Sequence, residues 1–312
     1  MSTTAPNAAA PDWAAAGERS NRVALRFMAW VAVTLGRGAA RLLLHPITLY
    51  FLCFAPAARR HSARYLARAL GRAPSWRERY RHFHDFAAVT LDRLYFVRGQ
   101  MGRFDLTIDG SARVDEALAE GRGAFLLGAH LGSFEALHAV GESRPNLRVA
   151  MVMYPDNARM IHGVLQAVAP DFQLGIIAVG RSGSTLEIRD WLDGGGLAGL
   201  LGDRVLADSH SRIVERPFLG RPARFSDGPL RLAMLLRRRV IFMVALYRGG
   251  RRYEVRFEPL ADFRERIAEP AAREAAIQAA LADYVARLEA LCRELPTNWF
   301  NFYDFWREDP QP

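Results

Sequence analysis

The sequence predicts an α/β protein. Its core is a mostly parallel central sheet flanked by helices, with an antiparallel edge hairpin, and an N-terminal membrane-associated helical region precedes it. Three observations carry this expectation. After Gly99, short apolar runs alternate with helix-length amphipathic segments, the texture of a sheet covered by helices. Two strand-like runs, "VIFMVALYR" and "RYEVRFEPL", flank a Gly-Gly-Arg turn and read as the hairpin. Before Gly99 the chain is first apolar and then strongly basic with helical period. The corresponding division is a leader at 1–19, a membrane-associated basic helical region at 20–98 and an α/β catalytic domain at 99–312.

The leader is rich in Ala, Ser, Thr and Pro and has no basic segment or cleavage site ahead of an apolar run, so it reads as disordered rather than as a secretory signal. From Val23 to Ala55 the residues are mostly apolar, but Arg26, Arg37, Arg41 and Pro46 interrupt them. A spanning helix needs about 20 apolar residues with few charges. The segment therefore predicts one or two helices lying in or on a bilayer, with arginines reaching the phosphates and Trp30 and Tyr50 near the interface. A pair of buried core helices is the alternative reading. The next forty or so residues, to Gly99, are helical in period and basic on their outer face.

Beyond Gly99, "RFDLTIDG" alternates like a strand and "SARVDEALAEGRG" is a short helix ending in glycine. "GAFLLGAH" is a buried strand that ends at His130, and "LRVAMVMYP", "LGIIAVG" and "GLAGLLGDR" are further strands. "ARMIHGVLQAVAP" and "SGSTLEIRDWLDGG" are helices between them. From Pro270, Ile277, Leu281, Tyr284, Leu288, Leu291 and Leu295 recur at spacings of four and three, which predicts one long amphipathic helix.

A formal charge of +9 comes entirely from arginine, since the chain holds no lysine. Such a surface favours an acidic partner: anionic headgroups, an acidic carrier protein or a nucleic acid. Nucleic acid is the least supported, because the arginines are dispersed and no nucleic-acid-binding module is recognisable. Cys53 and Cys292 stand far apart in apolar helical contexts and read as buried free thiols. His138, His162 and His210 show no metal-ligand spacing, so no metal is expected. "RSGS" at 181–184 lacks the lysine and spacing of a phosphate loop and reads as a helix cap. There is no Gly-x-Ser-x-Gly elbow.

The stretch "HLGSFE" holds the candidate chemistry. His130 and Glu135 lie five positions apart, which on an ideal helix separates them from a common face. They meet only if the chain bends: a strand ends at His130, Gly132 permits a turn, and Ser133 caps a helix starting near Phe134. Glu135 would then fix the imidazole tautomer, leaving the other ring nitrogen to take a proton from a hydroxyl. Backbone N–H groups of the new turn would bind an oxyanion. A structural histidine is the competing reading, but the end of a buried strand is where open α/β sheets place their sites.

Together with "LLGDR", "RPFLGRPARFSDGPLRLAMLLRRRVIFMVALYR" and the closing "LPTNWFNFYDFW", "HLGSFE" resembles the lysophospholipid acyltransferase superfamily, in its lipid A biosynthesis acyltransferase-like branch. The similarity runs from Arg19 to Trp306. It implies transfer of a fatty acyl chain from an acyl carrier protein or coenzyme A thioester to a hydroxyl of a lipid-like acceptor, at the cytoplasmic face of the inner membrane. Neither a resident cofactor nor a covalent enzyme intermediate is then needed. The resemblance makes His130 the base, Glu135 its orienting carboxylate and Arg204 an anion-binding group; Asp203 beside it is a substrate-site residue or a structural ion-pair partner of Arg204. The superfamily's Pro-Glu-Gly motif is absent, and "FSDGP" takes its place in order, which nominates Asp227 and Gly228, with Arg231, as substrate-binding residues, alongside Ser133. Two other classes remain open: a lipid or thioester hydrolase using the same dyad, and a non-catalytic protein that binds anionic membranes.

Overall fold

The structure, a computed structural model, describes residues 30–136, 147–154, 175–205 and 212–307. The chain opens with three helices. α1 (Gly36–Phe54) is followed at once by α2 (Pro56–Leu70), which starts on a proline suited to the first helical turn and stops at Gly71 in the left-handed region. α3 (Trp76–Phe96) starts at a capping box in which Ser75 and Glu78 satisfy each other's backbone N–H groups.

The α/β part follows as β1 (Asp105–Asp109), α4 (Ser111–Ala119), β2 (Ala124–Gly128), β3 (Val149–Met153), β4 (Gly175–Ala178), α5 (Ser184–Asp193) and β5 (Leu197–Leu201). Next come β6 (Ile213–Phe218), β7 (Arg221–Ser226), α6 (Gly228–Leu235), β8 (Arg239–Tyr247), β9 (Arg252–Asp262) and α7 (Pro270–Glu294). Each strand and helix read from the sequence is present where it falls on described residues, except that Phe134–Ala136 form a 3-10 turn where a helix is expected to start. The expected helix over "ARMIHGVLQAVAP" lies outside them, as do the leader, His138, His162 and His210.

Seven strands form one sheet in the order β1-β9-β8-β2-β5-β3-β4. All neighbours run parallel except β8 and β9, the expected antiparallel hairpin. That hairpin is not at the edge, because β1 pairs with β9 along its outer side. A second antiparallel hairpin, β6–β7, stands outside the main sheet. It was not legible as strands, since prolines and arginines fill its outward positions and only Phe218, Ala223 and Phe225 are buried.

The sheet separates two apolar layers, and strand alternation assigns residues to them. Phe125 and Leu127 of β2 face a layer made by α2, α7, the β6–β7 hairpin and the C-terminal aromatics. Ala124 and Leu126 face the other layer, made by α1, α3 and α4. Burying each leucine contributes roughly 1.5–3 kcal/mol. α3 thus shares a core with the sheet and is not an appendage to it.

Two sequence expectations change here. Arg37 and Arg41 do not reach outward: Arg37 makes a bidentate pair with the fully buried Asp92, at 2.7 and 2.8 Å, and Arg41 donates to the Tyr247 hydroxyl at 3.0 Å. Arg37 faces the sheet because a guanidinium paired with a buried carboxylate satisfies it, whereas an unpaired Asp92 would be costly. Cys53 is exposed on α1, and only Cys292 is buried, where burial pushes its thiol pKa up. Among the described residues no single helix is long and apolar enough to cross a membrane. α1 and α2 together pass by length and composition, but they are bent by 96°.

Candidate active site

β2 and β5 are adjacent parallel strands whose register pairs Gly128 with Leu201. Two residues beyond each partner stand His130 and Asp203, so the register itself sets them side by side at the C-terminal edge of the sheet. His130 Nδ1 lies 2.8 Å from Asp203 Oδ1, and the His130 backbone N–H donates to Oδ2 at 3.0 Å. An ionised carboxylate only accepts, so Nδ1 carries the ring proton and Nε2 is left with its lone pair. The Trp299 indole N–H also donates to Oδ2, at 2.9 Å.

Asp203 is buried, and burial alone would raise its pKa. The charge and hydrogen bond of His130, the charge of Arg204 and the indole donor outweigh that and hold the carboxyl well below its ordinary range. His130 is shifted below its ordinary 6.5 by burial first, with Asp203 opposing and the charges of Arg204 and Arg93 assisting. Its side chain keeps 29% exposure, enough for a reactant to reach it. The ring is therefore neutral and basic at neutral pH, with its tautomer fixed.

Glu135 does not supply this orientation. Its carboxylate accepts from the Ser133 hydroxyl at 3.0 Å and pairs with Arg93 of α3 at 3.1 Å. The bend is present, but it has a different consequence from the one expected. Gly132 has φ +70°, and a Cβ there would meet the Ala245 carbonyl oxygen at 1.8 Å. The chain is pulled flat against the end of β8 and the C-terminal segment: Gly132 N–H donates to Asn298, Ser133 N–H to Ala245, and Phe300 N–H to the His130 carbonyl. Residues Phe134–Ala136 then form a 3-10 turn that points Glu135 toward α3. Ser133 is fully buried and bonds Glu135 instead of capping a helix. The N–H groups of Gly132 and Ser133 are both used in these bonds.

Arg204, next to Asp203, lies with its guanidinium 5.5 Å from the Tyr303 ring centre and adds positive charge beside His130. The remaining nominated residues sit in a separate network. Asp227 is fully buried and pairs with Arg231 at 2.8 Å, and Arg231 reaches Glu274 of α7 at 2.7 Å. Gln278 donates to both Asp227 and Glu274. Gly228 begins α6 and donates its N–H to Ser226. These contacts tie the β6–β7 hairpin and α6 to α7; none of them reaches His130 or Asp203. Asp227, Gly228 and Arg231 therefore have an architectural place away from His130, with Arg231 shared between two carboxylates.

Sequence reasoning took the closing "NWFN" as part of the family resemblance and as packing against the sheet, and gave Asn298 and Trp299 no place in the site. Asn298 copies a neighbouring strand, accepting from the Tyr247 N–H and donating to the Tyr247 carbonyl, while Trp299 turns inward to Asp203. The signal was a tryptophan between two asparagines in an otherwise apolar run, polar atoms that burial would oblige to find partners.

Fold and site together define a class: an α/β protein that holds an imidazole bonded to a buried carboxylate at the C-terminal edge of a mostly parallel sheet. The match that narrows it covers most of the chain. Residues 22–308 fit the model of the family "Bacterial lipid A biosynthesis acyltransferase", and the chain belongs to that family, an acyltransferase family acting in lipid biosynthesis. A search of the curated proteins gives no match.

Proposed function

We propose that this protein moves a fatty acyl chain from an acyl carrier protein or coenzyme A thioester to a hydroxyl of a lipid-like acceptor, with His130 as general base and Asp203 as its orienting carboxylate. The observation that carries this reading is the 2.8 Å bond between His130 Nδ1 and Asp203. It leaves Nε2 to receive the hydroxyl proton as the acceptor oxygen attacks the thioester carbonyl. The tetrahedral intermediate then expels the thiolate, which takes that proton back from the imidazolium. General-base assistance of this kind contributes about 10²–10⁴-fold. Arg204 supplies positive charge for an anionic group of donor or acceptor. Glu135 acts at one remove, by neutralising Arg93 close to the base.

An exposed apolar surface on α1 and just before it supports a reaction at a membrane surface. Leu42, Leu49, Tyr50 and Phe54 lie on it exposed, and Trp30, Val33 and Leu35 before it are exposed too. An apolar face of this size on a basic protein suits insertion among anionic headgroups, at the cytoplasmic face of the inner membrane.

Mass spectrometry of total lipids from cells producing the protein or His130→Ala, at equal membrane levels, tests the proposal. A species heavier by one acyl group only with the intact histidine is the expected result. Acylated product in the variant, or thioester consumption that yields free fatty acid alone, overturns it, the latter in favour of a hydrolase.

A further inference from the structure

We infer that Trp299 is a positioning residue that sets both the aim and the basicity of His130 through Asp203; this rests on the acyl-transfer reading above. Asp203 receives three donors: the ring and backbone N–H of His130 and the indole N–H of Trp299. A carboxylate bonded on both oxygens is held in one rotamer, and the indole draws off part of the charge that would otherwise stabilise the imidazolium.

Trp299 is itself fixed from several sides. Its ring is 1% exposed and meets Tyr65, Phe218 and Phe305 edge-on, with centres 4.9, 5.3 and 4.9 Å away. Its carbonyl accepts from Nε2 of the fully buried His82 at 2.9 Å, and His82 Nδ1 accepts from the Ser62 hydroxyl at 2.8 Å. A continuous chain of side chains and one peptide carbonyl therefore runs from α2 and α3 through Ser62, His82, Trp299 and Asp203 to the base. The His82 bond fixes the Trp299 main chain and the ring contacts fix the indole, which cannot turn away without stranding its own buried N–H. The helical region that covers the sheet thus also holds the carboxylate that aims the catalytic ring.

The test replaces Trp299 in the full chain by phenylalanine and, separately, by 3-benzothienylalanine, whose sulfur takes the place of the indole N–H with nearly unchanged shape. Histidine-labelled NMR follows the titration of the His130 ring, assigned by the resonance lost in His130→Ala. Without the indole donor, Asp203 bears more charge toward the ring, so the His130 midpoint moves to higher pH in both variants. The acid limb of kcat/KM moves with it, and kcat falls on the order of tenfold while KM for palmitoyl-coenzyme A stays within about threefold. An unshifted His130 midpoint in the benzothienylalanine protein overturns the inference, since a tryptophan that only fills space would change stability and nothing else. If His130→Ala retains acylation of cellular lipids, the acyl-transfer reading fails instead, and the NMR midpoint still reports on Trp299 independently.

Discussion

Asp203 and Asp227 are both carboxylates with almost no exposed surface, and both stand just beyond the end of a strand, yet their partners differ. Asp203 bonds a titratable ring and an indole, partners that leave its charge available to the imidazolium that forms when His130 takes a proton. Asp227 is paired with a guanidinium that never deprotonates, and that guanidinium is shared with Glu274. The first pair can change protonation during a reaction; the second can only hold elements together. Burial and residue type are the same, so what separates a carboxylate able to support a proton transfer from one that only ties elements together is the chemistry of its partner.

The largest way to break this comparison is at the base. His130→Ala is expected to lower acyl transfer by about 10²–10⁴-fold with circular dichroism unchanged. Asp203→Asn should come close to it, since the amide no longer stabilises the imidazolium and the tautomer is lost. In contrast, Asp227→Asn should keep turnover within about tenfold and instead lower the unfolding midpoint, because it leaves Arg231 and Gln278 with a weaker partner. A turnover loss at Asp227 equal to that at Asp203 would erase the distinction.

A smaller effect is expected in the pH dependence of stability. Burial of His82 lowers its pKa from 6.5 to about 4, despite the Trp299 carbonyl and Asp85, which oppose the shift. As pH falls through 6.5 the unfolded chain binds a proton that the folded one refuses. Stability is therefore fully present above 6.5 and is lost progressively down to about 4, by an amount on the order of 3 kcal/mol. Urea midpoints measured between pH 7 and pH 4 should show this loss, and His82→Gln should flatten it. Unchanged steepness in that variant would assign the loss to His130 or to other groups.

Glu135→Gln should be the mildest of the four on catalysis. It releases Arg93, whose charge already disfavours the imidazolium, so the acid limb of kcat/KM should move to lower pH while kcat changes by less than about tenfold. A kcat loss matching that of Asp203→Asn would return the orienting role to Glu135.

Much of this arrangement was legible in the residues. The alternation after Gly99 marked the strands and helices, and the end of "GAFLLGAH" marked His130 as a polar group delivered to the edge of a buried strand. Gly132 marked the bend. Even Asp203 stood out at the end of "LLGDR", though as a substrate or ion-pair residue. What stayed hidden was which strand lies next to which. Glu135 was the nearest carboxylate along the chain, and local geometry alone favours near neighbours.

The sequence by itself determined the elements, the alternating faces of the strands, and the presence of an imidazole, two candidate carboxylates and a basic group close to strand ends. Only the tertiary structure decided the pairing. It inserts β5 between β2 and β3, so that the register of two parallel strands carries Asp203, 73 positions away, to the His130 ring. It also folds the C-terminal segment across the sheet edge, where the demand of buried polar atoms for partners brings Trp299 onto the same carboxylate and the bend at Gly132 sends Glu135 to Arg93. Hydrophobic period is a local property that the chain displays in order, whereas strand neighbours and buried hydrogen bonds are settled by packing across distances the sequence does not encode locally.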